Sequence, residues 1–383
     1  MDILTRLGVK KYINAHDTYT VYGGSRMSAA GLKAMEEAAR WFVDIDELQA
    51  AIGDRIADLT KNEGAYVTNG ASGGLLLAAA ACMTKGDPYR FTRLPKTGGV
   101  PDEIIVMRCQ HNAYDKAIEG AGARIVEIGD ADETLAWELE GAITDQTAAV
   151  FYFASLKYAP AALSLEETIE IAHRYSVPVV VDAAAQLPPV ENLWRFSQAG
   201  ADMTIFSGGK TLCGPQASGL VVGKKEWIAA CRKIGAPVHG ICRSSKVGRE
   251  EMCALLVALE EYLTLDHREN LERLYRIDRE ISGALEQLGC FQTYLVDHGP
   301  VGQTYPRLFA KITADFSTLE LAALMRQQDP GVYIGTDPSA NEIYISPLNL
   351  RDDEIGPVIE AFRRCSSSLA GSQPSKGVFS CNM

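Results

Sequence analysis

Through residue 222, short hydrophobic runs alternate along the chain with longer amphipathic stretches. The short runs are nearly continuous in Val, Ile, Ala and Phe, which is typical of strands that are buried on both faces of a sheet. The stretches between them repeat apolar residues every three or four positions, which indicates helices such as residues 46–60. The predicted strands are residues 65–68, 103–107, 124–128, 147–154, 177–181, 201–206 and 220–222. This alternation predicts an α/β fold with a mostly parallel sheet sandwiched by helices.

The remainder of the chain follows a different pattern and predicts a second unit. Residues 249–288 are charged and helical in character, and the segment after them predicts strands at 305–313, 332–335 and 342–345. Helices are predicted at 318–328 and 353–364, so this part forms a smaller α+β C-terminal domain. We therefore expect an N-terminal arm at 1–45, a large cofactor-binding domain at 46–245, linking helices with the small domain at 246–365, and a disordered Ser- and Gly-containing tail at 366–383.

Composition, net charge and cysteine spacing disfavour several classes of protein. The 383 residues are 47% hydrophobic and 22% charged, as in ordinary globular proteins. No apolar run is long enough to cross a bilayer and the N-terminus lacks an apolar signal core, so we expect a cytoplasmic protein without a membrane partner. The formal net charge of −12 disfavours nucleic acid as a partner. The nine cysteines are scattered without a C-x-x-C pair, so we expect neither a metal site nor a disulfide framework.

A glycine-rich loop between two predicted strands contains Lys210. Glycine allows backbone to approach a ligand closely, and the loop has glycines at positions 208, 209, 214 and 219. A lysine in such a loop can be a surface residue, a phosphate ligand or a nucleophile that forms a Schiff base. A nucleotide-binding P-loop has its first glycine where this chain has Thr204, inside a predicted strand, so we reject that interpretation.

Four further positions lie just beyond predicted strands or at helix starts. Asp182 ends the apolar run Val-Pro-Val-Val-Val, where it can cap a helix or hold a proton on a heterocyclic nitrogen. Residues 70–74 open a helix with small residues, which makes either an ordinary turn or an anion site. His111 can be a capping or core residue, or can stack on a ring. Ser207 can bond its own backbone or a phosphate. In parallel sheets such positions meet at one edge, so one pocket can collect them.

Pyridoxal phosphate requires the three groups that these positions offer. It needs a lysine for its Schiff base, an acid on its pyridine nitrogen and an anion site for its phosphate. The chain presents them in the order phosphate loop, ring-stacking His111, Asp182 and Lys210. We therefore predict pyridoxal 5'-phosphate as the cofactor, with Lys210, Asp182 and His111 as catalytic residues.

Four motifs carry a family resemblance. They are Thr-Asn-Gly-Ala-Ser-Gly-Gly at 68–74, His-Asn-Ala-Tyr-Asp at 111–115, Val-Asp-Ala-Ala-Ala-Gln-Leu-Pro-Pro at 181–189 and Phe-Ser-Gly-Gly-Lys at 206–210. In this order they resemble fold-type-I pyridoxal-phosphate enzymes, which have the aspartate-aminotransferase-like fold. More narrowly they resemble the branch related to bacterial selenocysteine synthase, which includes D-glucosaminate-6-phosphate ammonia-lyase-like proteins. The likeness extends from residue 12 to about residue 263.

The resemblance implies roles for individual residues. Lys210 is expected to carry the cofactor and Asp182 to contact the pyridine nitrogen. The phosphate is expected to contact Ala71, Ser72 and Ser207, with the loop 214–216 contributed across a dimer interface. Further cofactor-binding candidates are Gln186 and Gly214. The Thr-Leu-Cys that follows Lys210 departs from the Gly-Leu-Arg expected of the lyase-like members, and Cys-Arg-Ser-Ser-Lys replaces the Gly-Arg-Pro-Met-Lys expected around Arg243, so the substrate stays open.

From these expectations we predict a pyridoxal-phosphate-dependent ammonia-lyase. Its substrate is a hydroxy amino acid or an amino sugar acid, with a phosphorylated acid such as D-glucosaminate-6-phosphate among the candidates, and its product is a keto acid. The substrate anions need fixed cations, for which Arg26, Arg243 and Lys246 are candidates, although each can equally be a solvated surface residue. We expect a homodimer or a higher homo-oligomer.

Three alternatives to the lyase stay open. Selenium transfer on an aminoacyl-tRNA is disfavoured by the acidic balance and by the lack of an obvious basic N-terminal unit. Another amino-acid reaction on the same fold, such as racemisation or transamination, is compatible with the same residues. A non-catalytic scaffold is disfavoured because Asp182 and Lys210 are both retained.

Overall fold

The computed structural model describes residues 2–371, and contacts group them into two units. The large unit comprises Tyr19–Leu265 and Pro300–Thr304. The small unit comprises the described residues up to Thr18, Asp266–Gly299 and the described residues from Tyr305 onward. The chain thus passes from one unit to the other after residues 18, 265, 299 and 304, whereas the predicted divisions lie at 45/46 and 245/246. Within residues 2–371, no helix combines the length and the apolar character that a bilayer span requires.

The elements are numbered in chain order. The helices are α1 Ile3–Arg6, α2 Ala29–Ala39, α3 Ile45–Thr60, α4 Gly70–Thr84, α5 Pro88–Arg93, α6 Asp115–Gly120, α7 Ala136–Ala142, α8 Leu165–Arg174, α9 Asn192–Gln198, α10 Lys225–Ile234, α11 Arg249–Thr264, α12 His267–Gln287, α13 Thr318–Gln327 and α14 Asp352–Gly371. The strands are β1 Tyr12–Asn14, β2 Gly64–Thr68, β3 Glu103–Met107, β4 Arg124–Ile128, β5 Thr147–Phe153, β6 Val179–Asp182, β7 Met203–Ser207, β8 Gly219–Gly223, β9 Phe291–Val296, β10 Arg307–Ile312, β11 Gly331–Tyr333, β12 Gly335–Asp337 and β13 Glu342–Ile345. Short 3₁₀ helices lie at Thr20–Tyr22, Arg108–Gln110, Ile241–Ser245 and Pro347–Asn349.

The large unit contains a seven-stranded sheet in the order β2-β8-β7-β6-β5-β3-β4. Strands β7, β6, β5, β3 and β4 pair in parallel, and β8 runs antiparallel to both of its neighbours. Successive residues of β6 enter different cores, because Val179 and Val181 belong to one buried cluster and Val180 to the other. The sheet is therefore covered on both faces, and the predicted mostly parallel α/β architecture is confirmed.

Local capping explains where several helices of the large unit begin. Asp44 caps α3 by accepting hydrogen bonds from the N–H groups of Asp46 and Glu47. Ser164 caps α8 by accepting a hydrogen bond from the N–H of Glu167. Residues 88–93 form α5, with Pro88 at its start and Asp87 as its cap.

The small unit contains an antiparallel sheet in the order β12-β13-β10-β9 and a separate parallel pair of β1 with β11. Its core joins α12, α13 and α14 to these strands through residues such as Ile281, Leu321 and Phe362. Pairing of Tyr12–Asn14 with Gly331–Tyr333 places the first residues in this unit rather than in a separate arm. The predicted disordered tail starts at residue 366, but α14 continues to Gly371, and the rest of that tail lies outside the described residues.

Candidate active site

Asp182 and Lys210 meet at the carboxyl ends of β6 and β7. Asp182 is aligned with Ile205 of β7, and its Oδ1 accepts a hydrogen bond of 2.9 Å from the N–H of Ala184. Burial raises the pKa of the Asp182 carboxyl, whereas the Ala184 N–H and the positive charge of Lys210 lower it. The carboxyl of Asp182 and the amine of Lys210 therefore interact electrostatically at this edge of the sheet. The hydrogen bond from Ala184 engages Oδ1 of Asp182, so Oδ2 is the oxygen we consider for a proton-bearing ligand atom.

The loop that carries Lys210 is closed tightly by backbone hydrogen bonds. The N–H of Gly208 donates to the carbonyl of Ser218 at 2.9 Å, and the N–H of Gly214 donates to the carbonyl of Gly208 at 2.8 Å. A Cβ on Gly208 would overlap Oγ of Ser218, so a larger residue cannot replace this glycine without moving the loop. Gly214, expected to bind the cofactor, thus fixes the shape of the Lys210 loop.

Thr211, which departs from the expected motif, has a structural role in this loop. Its Oγ1 donates a 2.8 Å hydrogen bond to the carbonyl of Leu187, which ties the Lys210 loop to the segment after β6. Cys213 follows with a left-handed backbone at φ 55°. The N–H of Ser25, the residue before Arg26, donates a 3.1 Å hydrogen bond to the carbonyl of Gly209. The exposed Arg26 therefore lies near the Lys210 loop.

The start of α4 presents backbone N–H groups of the kind that bind anions. Asn69 precedes the helix without a side-chain capping hydrogen bond, so the first N–H groups lack that partner. The helix start lies against β8, because a Cβ on Gly219 would overlap the backbone of Gly70. Gly219 in turn is aligned with Ser207 at the end of β7. The half-buried Ala71, the exposed Ser72 and the Ser207 hydroxyl are thereby grouped, and this donor set fits the phosphate of pyridoxal phosphate.

His111 lies between the 3₁₀ helix Arg108–Gln110 and α6, rather than at the start of the helix itself. Its Nδ1 is 2.6 Å from Oδ2 of Asp115. The preceding Gln110 is buried and accepts a hydrogen bond from the N–H of Phe153, which is aligned with Asp182. This contact fixes the segment before His111 against the strand next to Asp182.

Tyr158 interacts electrostatically with Asp182 and with Asp115, the partner of His111. Burial raises the pKa of the Tyr158 phenol, and the charges of Asp115 and Asp182 raise it further. Neither Asp115 nor Tyr158 was among the residues expected from the sequence. Asp115 follows His111 at the spacing of one helical turn, which is a usable signal, whereas Tyr158 carries no sequence signal.

The side-chain amide of Gln186 is hydrogen-bonded to backbone carbonyl groups. Its Nε2 donates to the carbonyls of Ala154 at 2.6 Å and Val301 at 3.1 Å, so both amide hydrogens are engaged with backbone. Only its Oε1 remains for a ligand, and its role in cofactor binding stays a prediction.

Arg243 and Lys246 line one cavity of about 300 Å³ beside the start of α4. The carbonyl of Lys246 accepts a 3.3 Å hydrogen bond from Nδ2 of Asn69. Neither cationic side chain forms a hydrogen bond or ion pair with the described residues. Arg249, at the same cavity, instead donates to the carbonyl of Ala38 and is therefore committed to the end of α2.

Comparison with known proteins gives consistent matches. A family model described as SelA: L-seryl-tRNA selenium transferase matches residues 34–283. The D-glucosaminate-6-phosphate ammonia lyase of Salmonella typhimurium is 37% identical over 68% of this chain and 70% of its own length. The 5'-C-glycyluridine monooxygenase-decarboxylase of a Streptomyces species is 33% identical over 86% of this chain and 82% of its own. A solved structure of D-glucosaminate-6-phosphate ammonia-lyase matches with a TM-score of 0.84 at 29% identity, covering 97% of this chain and 99% of that chain.

Proposed function

The chain belongs to the L-seryl-tRNA selenium transferase family and has the fold-type-I architecture, and from this premise we propose that it is a pyridoxal-phosphate-dependent ammonia-lyase. The proposed substrate is a hydroxy amino acid or amino sugar acid that carries a second anionic group. The relative named D-glucosaminate-6-phosphate ammonia lyase supports this reaction class. The observation that carries the proposal is the electrostatic contact of Lys210 with Asp182 beside the uncapped start of α4.

Each part of the site has a proposed role in binding the cofactor. Bound pyridoxal phosphate would supply a covalent attachment for the substrate amine and a ring that accepts electrons from Cα. The N–H groups at the start of α4 and the Ser207 hydroxyl would hold the phosphate. Oδ2 of Asp182 would accept the hydrogen bond from the protonated pyridine nitrogen. Burial raises the pKa of Asp182, and the N–H of Ala184 and the charge of Lys210 act in the opposite direction and favour the carboxylate that this task needs.

Lys210 serves a second purpose once the substrate amine has replaced it. Its freed amine would remove the proton from Cα, which a positioned base does efficiently. The β-hydroxyl then leaves as water, and addition of water releases ammonia and a keto acid. The overall change is loss of ammonia, with the water lost in elimination regained in hydrolysis.

The cavity of Arg243 and Lys246 is the proposed site for the distal anion of the substrate. Two cations without ion-pair partners in the described chain, next to a phosphate-binding helix start, favour a phosphate or carboxylate there. Arg26, near the Lys210 loop, is the remaining candidate for the substrate carboxylate. Transfer of selenium on a tRNA is the alternative within the family, and the net charge of −12 disfavours it.

The test is a panel of D- and L-hydroxy amino acids and amino sugar acids, each with and without a terminal phosphate. We expect the purified protein with pyridoxal phosphate to release ammonia and keto acid in equal amounts from at least one phosphorylated member. Racemisation, transamination or carbon dioxide release without ammonia would reject the lyase and retain the cofactor. A protein that takes up no pyridoxal phosphate would reject both.

Arg243→Ala and Lys246→Ala are expected to raise the KM of the phosphorylated substrate by about 10- to 100-fold, because each removes a charge-assisted hydrogen bond of about 1.5–3 kcal/mol. The unphosphorylated analogue should be affected much less. Arg90→Ala, which removes an exposed cation on α5, is the matched control and should change neither KM. Equal KM values for the phosphorylated substrate in wild type and both variants would contradict the assignment.

We also propose that the protein is a cytoplasmic homodimer in which the loop 214–216 contributes to the neighbouring site. The segment between α2 and α3 supports this, since Trp41 is 73% exposed and Phe42 is 99% exposed. Adjacent apolar side chains with such exposure are typical of an interaction surface.

Phe42→Asp is expected to shift the protein to a monomer in light scattering after size exclusion, because it places a charge in the apolar contact. Leu319→Asp, at another exposed apolar position, is the control and should leave the mass unchanged. A monomeric wild-type protein would contradict the homodimer.

A further inference from the structure

His111 and Asp115 form a close side-chain pair. Nδ1 of His111 lies 2.6 Å from Oδ2 of Asp115, and the same oxygen accepts a 3.3 Å hydrogen bond from the N–H of Asn112. The pair is well shielded, with His111 27% and Asp115 13% exposed at the side chain. A carboxylate at this distance requires a proton on Nδ1, so it selects one of the two neutral tautomers of the imidazole.

The opposite nitrogen of His111 has no hydrogen-bond partner among the described residues. Nε2 is buried, and Oε1 of Glu127 lies 3.5 Å from it. That carboxylate is already engaged by Arg108, whose side chain contacts Oε2 at 3.0 Å. A buried nitrogen without a partner is energetically costly, which indicates that a ligand or a moved side chain satisfies it.

The location of this pair connects it with the proposed catalytic centre. Sγ of Cys109, two residues before His111, lies 4.0 Å from the carbonyl oxygen of Tyr158, and the charges of Asp115 and Asp182 both raise the pKa of the Tyr158 phenol. Gln110 binds the backbone of Phe153 beside Asp182 and fixes the peptide just before His111. The imidazole is thus held from the backbone side by Gln110 and from the ring side by Asp115.

We propose that Asp115 is a positioning residue that holds the ring plane of His111 and keeps its proton on Nδ1. His111 then presents a fixed imidazole face and an Nε2 that accepts a hydrogen bond. This inference rests on the proposed function and on the predicted stacking of His111 over the cofactor ring. Asp115 itself need not touch cofactor or substrate, because it acts through His111.

The experiment compares Asp115→Ala and Asp115→Asn in protein with ¹⁵N-labelled histidine. In the neutral imidazole of His111 we expect the wild type to carry the proton on Nδ1 and not on Nε2, with the signals assigned by their loss in His111→Phe. In Asp115→Ala the two tautomers should mix, while Asp115→Asn, which retains a weaker, uncharged acceptor oxygen, should give a tautomer ratio between those of wild type and Asp115→Ala. The visible absorbance of bound pyridoxal phosphate should also move in Asp115→Ala, and kcat should fall by roughly 10²-fold at nearly constant KM.

A matched control and a stability measurement separate positioning from simple folding. Glu119→Gln changes an exposed acid on the same helix and should leave the ¹⁵N spectrum and kcat unchanged. Identical His111 spectra in wild type and Asp115→Ala, at unchanged thermal stability, would overturn the proposal. If Asp115→Ala unfolds, the milder Asp115→Asn must still shift the tautomer ratio measurably, and its failure to do so would also overturn it. The ¹⁵N measurement does not need turnover, so a failure of the lyase assignment is recognised separately.

Discussion

Lys210→Ala is expected to abolish the visible absorbance of bound pyridoxal phosphate and to lower kcat by about 10⁴-fold, the upper end of the range for a positioned acid–base group. The loss is large because one amine has two tasks, covalent attachment of the cofactor and removal of the Cα proton. Borohydride should bleach the wild-type band and leave the spectrum of the variant unchanged. Absorbance spectra and ammonia release measure the two effects independently.

Lys210→Arg separates covalent chemistry from electrostatics. Arginine retains the positive charge that lowers the pKa of Asp182, so the sheet edge should remain folded, but it cannot form the Schiff base. We expect it to be as inactive as Lys210→Ala. Lys96→Ala removes an exposed lysine and should behave as wild type. Substantial ammonia release by Lys210→Arg would contradict the assigned role.

The part of the site that could be predicted from the sequence depends on local pattern and on sheet geometry. Asp182 and Lys210 each follow an apolar strand, and parallel strands bring their carboxyl ends to one edge. The alignment of Asp182 with Ile205 shows this arrangement directly. The glycines around Lys210 also allowed the loop to be predicted. In the structure, the loop has no room for a Cβ at Gly208.

The unpredicted part depends on contacts between residues distant in sequence. Tyr158 comes near Asp115 and Asp182 only through the packing of the loops after β3 and β5. Pairing of β1 with β11 joins residues 12–14 to residues 331–333, a long-range contact that no local pattern reveals. The prediction placed His111 at a helix start. In the structure a 3₁₀ turn precedes His111 and α6 begins four residues after it, so helix periodicity did not describe the segment between β3 and α6.

Thr211 changes how the departure from the expected motif is interpreted. Because its hydroxyl bonds the carbonyl of Leu187, this residue has a structural reason to differ from glycine. Although Thr211 is adjacent to Lys210, it therefore says little about the identity of the substrate. Among the departures, the surroundings of Arg243 and Lys246 are the better place to look for substrate specificity, because those cations line an open cavity.

Asp278→Asn is expected to remove a strong pH dependence from the stability of the protein. Asp278 is fully buried on α12, and both of its carboxylate oxygens lack hydrogen-bond partners in the described chain. Burial raises its pKa from 3.8 to about 8. Between these values the folded state binds one more proton than the unfolded state, so the wild type should lose about 1.4 kcal/mol of unfolding free energy for each pH unit of increase. Above the folded pKa no further loss is expected from this group.

Urea unfolding of wild type and variant from pH 4 to pH 9 measures this effect, and the difference between them cancels the other titrating groups. Asparagine cannot ionise, so the variant should be close to wild type near pH 4 and become increasingly more stable than wild type towards pH 8. Asp353→Asn, an exposed acid at the start of α14, is the control and should leave the slope unchanged. Parallel stability curves for wild type and Asp278→Asn would show that the carboxyl finds a partner and stays ionised. A slope of the expected sign would instead identify Asp278 as a buried acid that stays protonated at neutral pH and limits the stability of the small unit under alkaline conditions.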